Sequence, residues 1–137
     1  MRAVRRRQIS RDQTGQSMVE FALVGMAFLI IIFGVIDLGR AVFQYNLIAS
    51  SAREGARVAV LQGNTDSDVI DRVVQSSAGM LSSGSVTIGG SRTCSAVPCP
   101  SVTVTVQHQF SPVTPLIGTL IGGSISMTAS STMVVER

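Results

Sequence analysis

Several residue types that carry chemistry are scarce or missing in this chain of 137 residues. It has no Trp, one His and two Cys, and all of its eleven basic residues are Arg. Aromatic residues make up only 4% of the chain, so the core of a folded domain must be mainly aliphatic. A single His, His108, and two Cys cannot supply the usual four-ligand zinc site. No Ser-His-acid order, phosphate-binding loop or metal-binding cluster appears, so the sequence predicts neither an enzyme nor a cofactor.

The charge is distributed unevenly. Five of the Arg residues lie in the first eleven positions: Arg2, Arg5, Arg6, Arg7 and Arg11. Downstream of Gly15 there are six Arg against seven acids, so the basic pI of about 9.7 belongs to the first fifteen residues. A basic segment often indicates nucleic-acid binding. Here it precedes an apolar run, which favours the positive-inside arrangement of a membrane protein and predicts no nucleic-acid partner.

The apolar run is long enough to cross a membrane. Every residue from Phe21 to Ile36 is apolar or Gly, and adding Met18 and Val19 gives nineteen positions with one charge. At ~1.5 Å per residue this run reaches about 28 Å, close to the thickness of a bilayer core. We therefore predict a basic leader at 1–15 and a transmembrane helix at 16–37, with the N-terminus in the cytoplasm.

A cleaved secretory signal peptide is the main alternative to a membrane span. It also has a basic start and an apolar centre, but that centre is usually only ~7–15 residues long. The segment Asp37-Leu-Gly-Arg40 is, in addition, a poor cleavage site.

The helix should continue beyond the membrane, because residues 38–61 contain no Pro and keep a helical period. Gly63 and Asn64 supply a stop signal. The expected packing stripe is rich in Ala and comprises Leu38, Val42, Tyr45, Ala49, Ala52, Ala56, Ala59 and Val60. The opposite side should carry Arg40, Gln44, Ser51 and Glu54.

The remainder of the chain predicts a second helix and a small sheet. Thr65, Asp66 and Ser67 are N-cap candidates for a helix over about Ser67 to Leu81. Alternating apolar residues predict strands at 86–88, 101–110 and 124–135, with His108 on the apolar face of the second. The segment 116–121 has short helical spacing; capping the sheet is the favoured interpretation, and a contact with the membrane surface or a partner is the alternative. The fold class is therefore α+β: a long N-terminal helix packed on a small antiparallel sheet, with one further short helix.

Cys94 and Cys99 are five positions apart. A short-loop disulfide is the favoured interpretation if the domain faces an oxidising compartment. Two free thiols are the alternative.

The segment Gly15-Gln-Ser-Met-Val-Glu20-Phe21 places a carboxylate at the start of the membrane span. An acid at the bilayer centre costs about 2.5–3.5 kcal/mol on insertion scales, and less near the interface. Cleavage between Gly15 and Gln16 would create an α-amine one helical turn from Glu20. That amine, in the same chain or an adjacent one, would pair with the carboxylate. A snorkelling acid at the helix N-terminus is the alternative.

Two motifs carry a resemblance to a known family. Gly15 followed by Glu20 and Phe21 resembles the processing motif of type IV prepilins. Ser51-Ala-Arg-Glu-Gly-Ala-Arg-Val-Ala-Val60 resembles the signature of TadE-like pseudopilins of tight-adherence (Tad) pilus systems. The segments 110–115 and 128–136 are also similar to that family, so the resemblance runs from about 13 to 136.

The resemblance implies a minor pilin or pseudopilin of a Tad-type (type IVc) pilus. A prepilin peptidase would cut between Gly15 and Gln16, with Glu20 and Phe21 acting in processing and subunit pairing. Arg53, Glu54 and Arg57 match the second motif and are candidates for a subunit contact, with an intrachain Glu54–Arg57 pair as the alternative.

The expected partners are the peptidase, other pilin-like subunits, the Tad assembly platform and the membrane. The expected location is the bacterial inner membrane, with a pilin-like domain at 38–137 outside it and the pilus or cell surface as a destination after assembly. An uncleaved, membrane-anchored structural or adhesive surface protein is the alternative function.

Overall fold

A computed structural model describes residues 14–61, 63–95 and 97–135. Its elements in chain order are α1 (Thr14–Ala59), α2 (Asp66–Ser76), a 3-10 turn (Ser83–Ser85), β1 (Val86–Gly90), β2 (Ser101–Phe110), α3 (Pro115–Ile121) and β3 (Ile125–Val134). This architecture confirms the predicted α+β class. Of the predicted basic leader, residues 1–13 lie outside the described residues.

The three strands form one antiparallel sheet with β2 at its centre. Val106 on β2 lies opposite Val86 on β1 and Ala129 on β3, which sets the register of both pairs. Val102, Val104 and Val106 are fully buried, as the alternation of the 101–110 segment predicts. The first residue of β3, Ile125, is an exception to its predicted face, because 44% of its surface is exposed.

The second half of α1 packs across β2 and β3. Its buried side chains are small or aliphatic: Ile48, Ala52, Ala56 and Ala59. The closest approach is at Gly55, where a Cβ atom would clash with Val73 Cγ2 and lie 3.2 Å from Val104 Cγ1. Only Gly allows α1 to pack this closely against both α2 and the sheet.

Helix α2 begins with a complete capping box. The Thr65 hydroxyl accepts a hydrogen bond from the Asp68 N–H, and the Asp68 carboxylate accepts one of 2.7 Å from the Thr65 N–H. The predicted end of this helix near Leu81 is wrong, since α2 ends at Ser76. Beyond it the Ser77 hydroxyl donates to the Val74 carbonyl and accepts from the Leu81 N–H, which replaces further helical turns.

The face of α1 nearest the membrane also differs from the prediction. Leu38, Val42 and Tyr45, expected on the packing stripe, are each about half or more exposed. The residues that turn toward the fold are Asp37, Arg40, Ala41, Gln44, Ile48 and Ser51, each buried or half-buried. Both sets fit a helical period, and most of the observed positions lie one residue before a predicted one. The second set includes Asp37, whose carboxylate accepts hydrogen bonds from the N–H groups of Val113 and Thr114. Helix α1 ends at Ala59, two residues before the predicted end.

The first half of α1 is apolar and packs against almost nothing. Its most apolar window of 18 residues has a mean hydropathy of 2.7, and none of that window is buried. The helix of 46 residues is about 69 Å long, enough to span a bilayer and continue into the α+β part. A single N-terminal helix of this kind indicates a single-pass membrane anchor.

Candidate functional site along the first helix

The predicted processing residues lie together at the start of the described helix. Gly15, Gln16 and Glu20 share one face with Val19 and Leu23, and these five residues line a shallow depression. Gln16 and Glu20 are four residues apart, so their side chains are neighbours one helical turn apart. Phe21 does not line the depression and is 80% exposed.

The lining of this depression comes from α1 itself. Glu20 lies between Val19 and Phe21, and both of these apolar side chains are exposed. A carboxylate on such an apolar surface is tolerated in a membrane when a cation pairs with it. The exposed surface around Glu20 is therefore open to a group from outside the helix.

The second motif divides its residues between two environments. Ala52, Gly55 and Ala56 face the interior, where they allow close packing. Arg53 and Arg57 are exposed on the outer side of the same turns. The small residues of the motif therefore build the fold, while its two Arg residues remain available to a partner.

Glu54 has a different intrachain partner from the one considered in the sequence. Its Oε1 atom accepts a 2.6 Å hydrogen bond from Arg72 on α2 rather than from Arg57. The hydrogen bond from Arg72 lowers the pKa of Glu54. Partial burial opposes this effect, and the charges of Arg72 and Arg57 add to it. Arg72 was missed because sequence spacing gives no signal for a contact between two helices.

Residues 15–57 match the family model of TadE-like proteins. The matched segment begins at Gly15, ends at Arg57 and so includes the processing motif, the apolar run and the second motif as far as Arg57. The match confirms the resemblance to TadE-like proteins and associates the chain with Tad pilus systems. The TadE-like family is a structural, non-enzymatic kind of protein. Neither the curated proteins nor the solved structures yield a match.

The similarity noted at 110–115 and 128–136 lies beyond the matched residues and remains a prediction.

The matched residues 15–57, here called the TadE-like segment, include one buried acid that the sequence interpretation did not single out. The carboxylate of Asp37 accepts hydrogen bonds of 3.0 Å from the backbone N–H groups of Val113 and Thr114. Arg40, one turn further along α1, lies 3.3 Å from the same carboxylate and 5.9 Å from the centre of the Phe110 ring. The available signal was an acid directly after an apolar run with an Arg three residues later.

Asp37 also supplies a hydrogen-bond acceptor for the N–H groups at the start of α3. Thr114 is the N-cap of α3 but makes no side-chain capping bond. Two N–H groups at the start of this turn point instead to Asp37 on the other helix. The carboxylate thus joins the end of the apolar run in the TadE-like segment to the segment that precedes α3.

The cysteines and the histidine lie outside the TadE-like segment. The structure joins Cys94 and Cys99 in a disulfide, with their Cα atoms 4.9 Å apart. Arg92, two residues before Cys94, pairs with Asp66 at the start of α2 at 2.5 Å. His108 is half-buried on β2 opposite Met127. Among the described residues, no group of His, Cys, Asp and Glu is arranged to hold a metal ion.

Proposed function

We propose that the chain is a minor pilin or pseudopilin that acts in the assembly of a Tad-type (type IVc) pilus. The observation that carries this proposal is the placement of Gly15, Gln16 and Glu20 on one face of an exposed apolar helix inside the TadE-like segment. In this proposal residues 16–37 cross the bacterial inner membrane once, with the N-terminus in the cytoplasm. The pilin-like domain, residues 38–137, lies outside.

Maturation is the first step of the proposed function. A prepilin peptidase cuts between Gly15 and Gln16 on the cytoplasmic side and removes the five Arg residues of the leader. The new α-amine of Gln16 then offers a cation to Glu20, either in the same chain or in an adjacent subunit. Such a pair offsets the cost of a carboxylate in the apolar layer and links processing to assembly.

Contacts outside the membrane come from the second motif. Arg53 and Arg57 are exposed on α1, while Glu54 is already engaged by Arg72. We therefore assign Arg53 and Arg57 to the contact with other pilin-like subunits or the assembly platform. Glu54 holds α2 against the helix that carries them.

The decisive experiment is the N-terminal residue and intact mass of the protein from its native membranes. We expect the wild-type chain to begin at Gln16. A Gly15→Val variant should begin at Met1 and fail to assemble. Gly25→Val is the matched control, because a Cβ at either glycine meets nothing within 4 Å. The control should be processed normally.

Absence of cleavage in the wild-type protein would contradict the proposed maturation. A wild-type chain that begins at Met1, with Gly15→Val unchanged in assembly, would overturn the processing step. The uncleaved, membrane-anchored structural or adhesive protein would then replace the pilin as the working function.

A further inference from the structure

We propose that α3 and the start of β3 rest on the outer surface of the lipid bilayer at the point where α1 leaves it. The surface concerned, here called the α3 patch, comprises Leu38, Ile117, Ile121 and Ile125. The proposal rests on α1 spanning the membrane. It does not depend on processing at Gly15 or on pilus assembly.

The level of α3 relative to the bilayer follows from the part of α1 that it contacts. The Cδ1 atom of Ile117 lies 3.7 Å from where a Cβ of Gly34 would be. Gly34 belongs to the apolar run, which ends at Ile36. Because that run is about as long as a bilayer core is thick, its last turn lies at the lipid surface. Because Ile117 of α3 contacts this last turn, α3 lies at the same level.

The composition of this region suits a lipid interface. The α3 patch lines an apolar hollow of about 270 Å³ together with parts of α1 and β2. Leu38, Ile121 and Ile125 are 65%, 39% and 44% exposed, so the patch is open on its outer side. From Gln109 to Val135 the sequence contains no Asp, Glu, Lys or Arg. Burial of such a surface among lipid headgroups and upper acyl chains is favourable.

Insertion of α1 into the membrane by itself places the α3 patch next to lipid. Exposed apolar surface continues from Val35 in the run to Leu38 in the patch, since residues three apart are neighbours on a helix. Every membrane-inserted copy therefore carries the patch to the bilayer, whatever else it binds. The surface is continuous with the membrane-spanning helix and differs from an isolated apolar face elsewhere on the fold.

Asp37 and Arg40 hold α3 in place and put a charged group near the lipid headgroups. Through Val113 and Thr114, Asp37 holds the start of α3 against α1, so α3 keeps its level. Arg40 pairs with Asp37 and keeps 41% of its side chain exposed, which places a cation at the level of the phosphates. An Arg side chain near the end of a spanning helix can extend to the membrane interface.

The absence of Trp from the chain allows a direct test. Full-length Ile121→Trp and Leu61→Trp variants are reconstituted in vesicles of phosphatidylethanolamine and phosphatidylglycerol. Leu61 is an exposed apolar residue just beyond the end of α1, about 35 Å past Ile36. Lipids brominated near the top of the acyl chain report contact with the bilayer, and acrylamide reports contact with water.

We expect brominated lipid to quench most of the fluorescence of the Ile121→Trp variant and to leave that of the Leu61→Trp variant nearly unchanged. Acrylamide should quench the Ile121→Trp variant several-fold less than the Leu61→Trp variant. Ile125→Trp serves as a second reporter should the substitution at position 121 disturb the fold, which circular dichroism and the thiol content of each variant will show. The same pattern is expected at position 125.

Two results would overturn the proposal. Equal acrylamide quenching at positions 121, 125 and 61 would show that water contacts the α3 patch. Protection from acrylamide without quenching by brominated lipid would show that protein covers the patch. If that protection grows with the protein-to-lipid ratio, the covering protein is a second copy of the chain.

Discussion

The Arg72 guanidinium on α2 donates a 2.6 Å hydrogen bond to the Glu54 carboxylate on α1, eighteen residues earlier in the chain. The contact joins the two helices at the point where the TadE-like segment carries its second motif. Because Glu54 is occupied within the chain, variants at this position change the fold before they change any subunit contact.

Exchange of the two charges separates a role in the fold from a role between subunits. Glu54→Arg alone should lower the thermal unfolding temperature in detergent, because it places two cations side by side. The double variant Glu54→Arg, Arg72→Glu should recover most of that loss. If the double variant folds but does not assemble, position 54 also contacts another subunit. A double variant as unstable as the single one would show that the pair contributes nothing.

The stability of the domain should depend on the ionisation of Glu54. Its pKa is lower in the folded chain than the ordinary value of 4.5, so the ionised form favours folding. The stabilisation is present above about pH 4.5 and disappears as the pH falls through the lowered pKa. Glu54→Gln should therefore lose less stability than wild type over this acid range.

The measurement for this prediction is thermal unfolding in detergent as a function of pH. Hydrogen bonds that the Thr65 hydroxyl and the Thr65 N–H donate to the Asp68 carboxylate also lower the pKa of Asp68. That contribution is the same in wild type and variant, so the difference between the two curves isolates Glu54. Parallel curves would contradict the prediction.

Gly55 should tolerate no side chain. A methyl group there would clash with Val73 and crowd Val104, so Gly55→Ala should destabilise the domain by about 1–3 kcal/mol. Gly39→Ala is the matched control on the same helix, where a Cβ meets nothing within 4 Å. The control should be neutral or stabilising by up to about 1 kcal/mol, since Ala favours a helix more than Gly does. Equal effects on denaturant unfolding would disprove close packing at Gly55.

The Cys94–Cys99 bridge closes a short loop before β2. Removing it by Cys94→Ser with Cys99→Ser should cost about 2 kcal/mol, from the entropy of closing so short a loop. Alkylation of the unfolded protein before and after reduction shows whether the thiols are paired. Wild-type protein from native membranes that is fully alkylated without reductant would show that both thiols are free.

Local patterns in the sequence predicted most of the fold. The alternation of 101–110 predicted the buried face of β2, and the composition around Thr65 predicted the start of α2. These features depend on neighbours within a few residues, so short-range periodicity is sufficient to find them. The end of α2 at Ser76 was not predictable in this way, because hydrogen bonds of the Ser77 hydroxyl stop a helix that its apolar spacing would continue.

The amino-acid sequence is sufficient to locate the apolar run, the basic residues before it and the two motifs of the TadE-like segment, because each is a matter of composition and spacing. The side of α1 that faces the sheet depends instead on contacts between distant parts of the chain. Asp37, on that side, accepts hydrogen bonds from the N–H groups of Val113 and Thr114, more than seventy residues away. Leu38, Val42 and Tyr45, on the neighbouring face, stay exposed. Periodicity cannot distinguish two helix faces one residue apart; a long-range polar contact can.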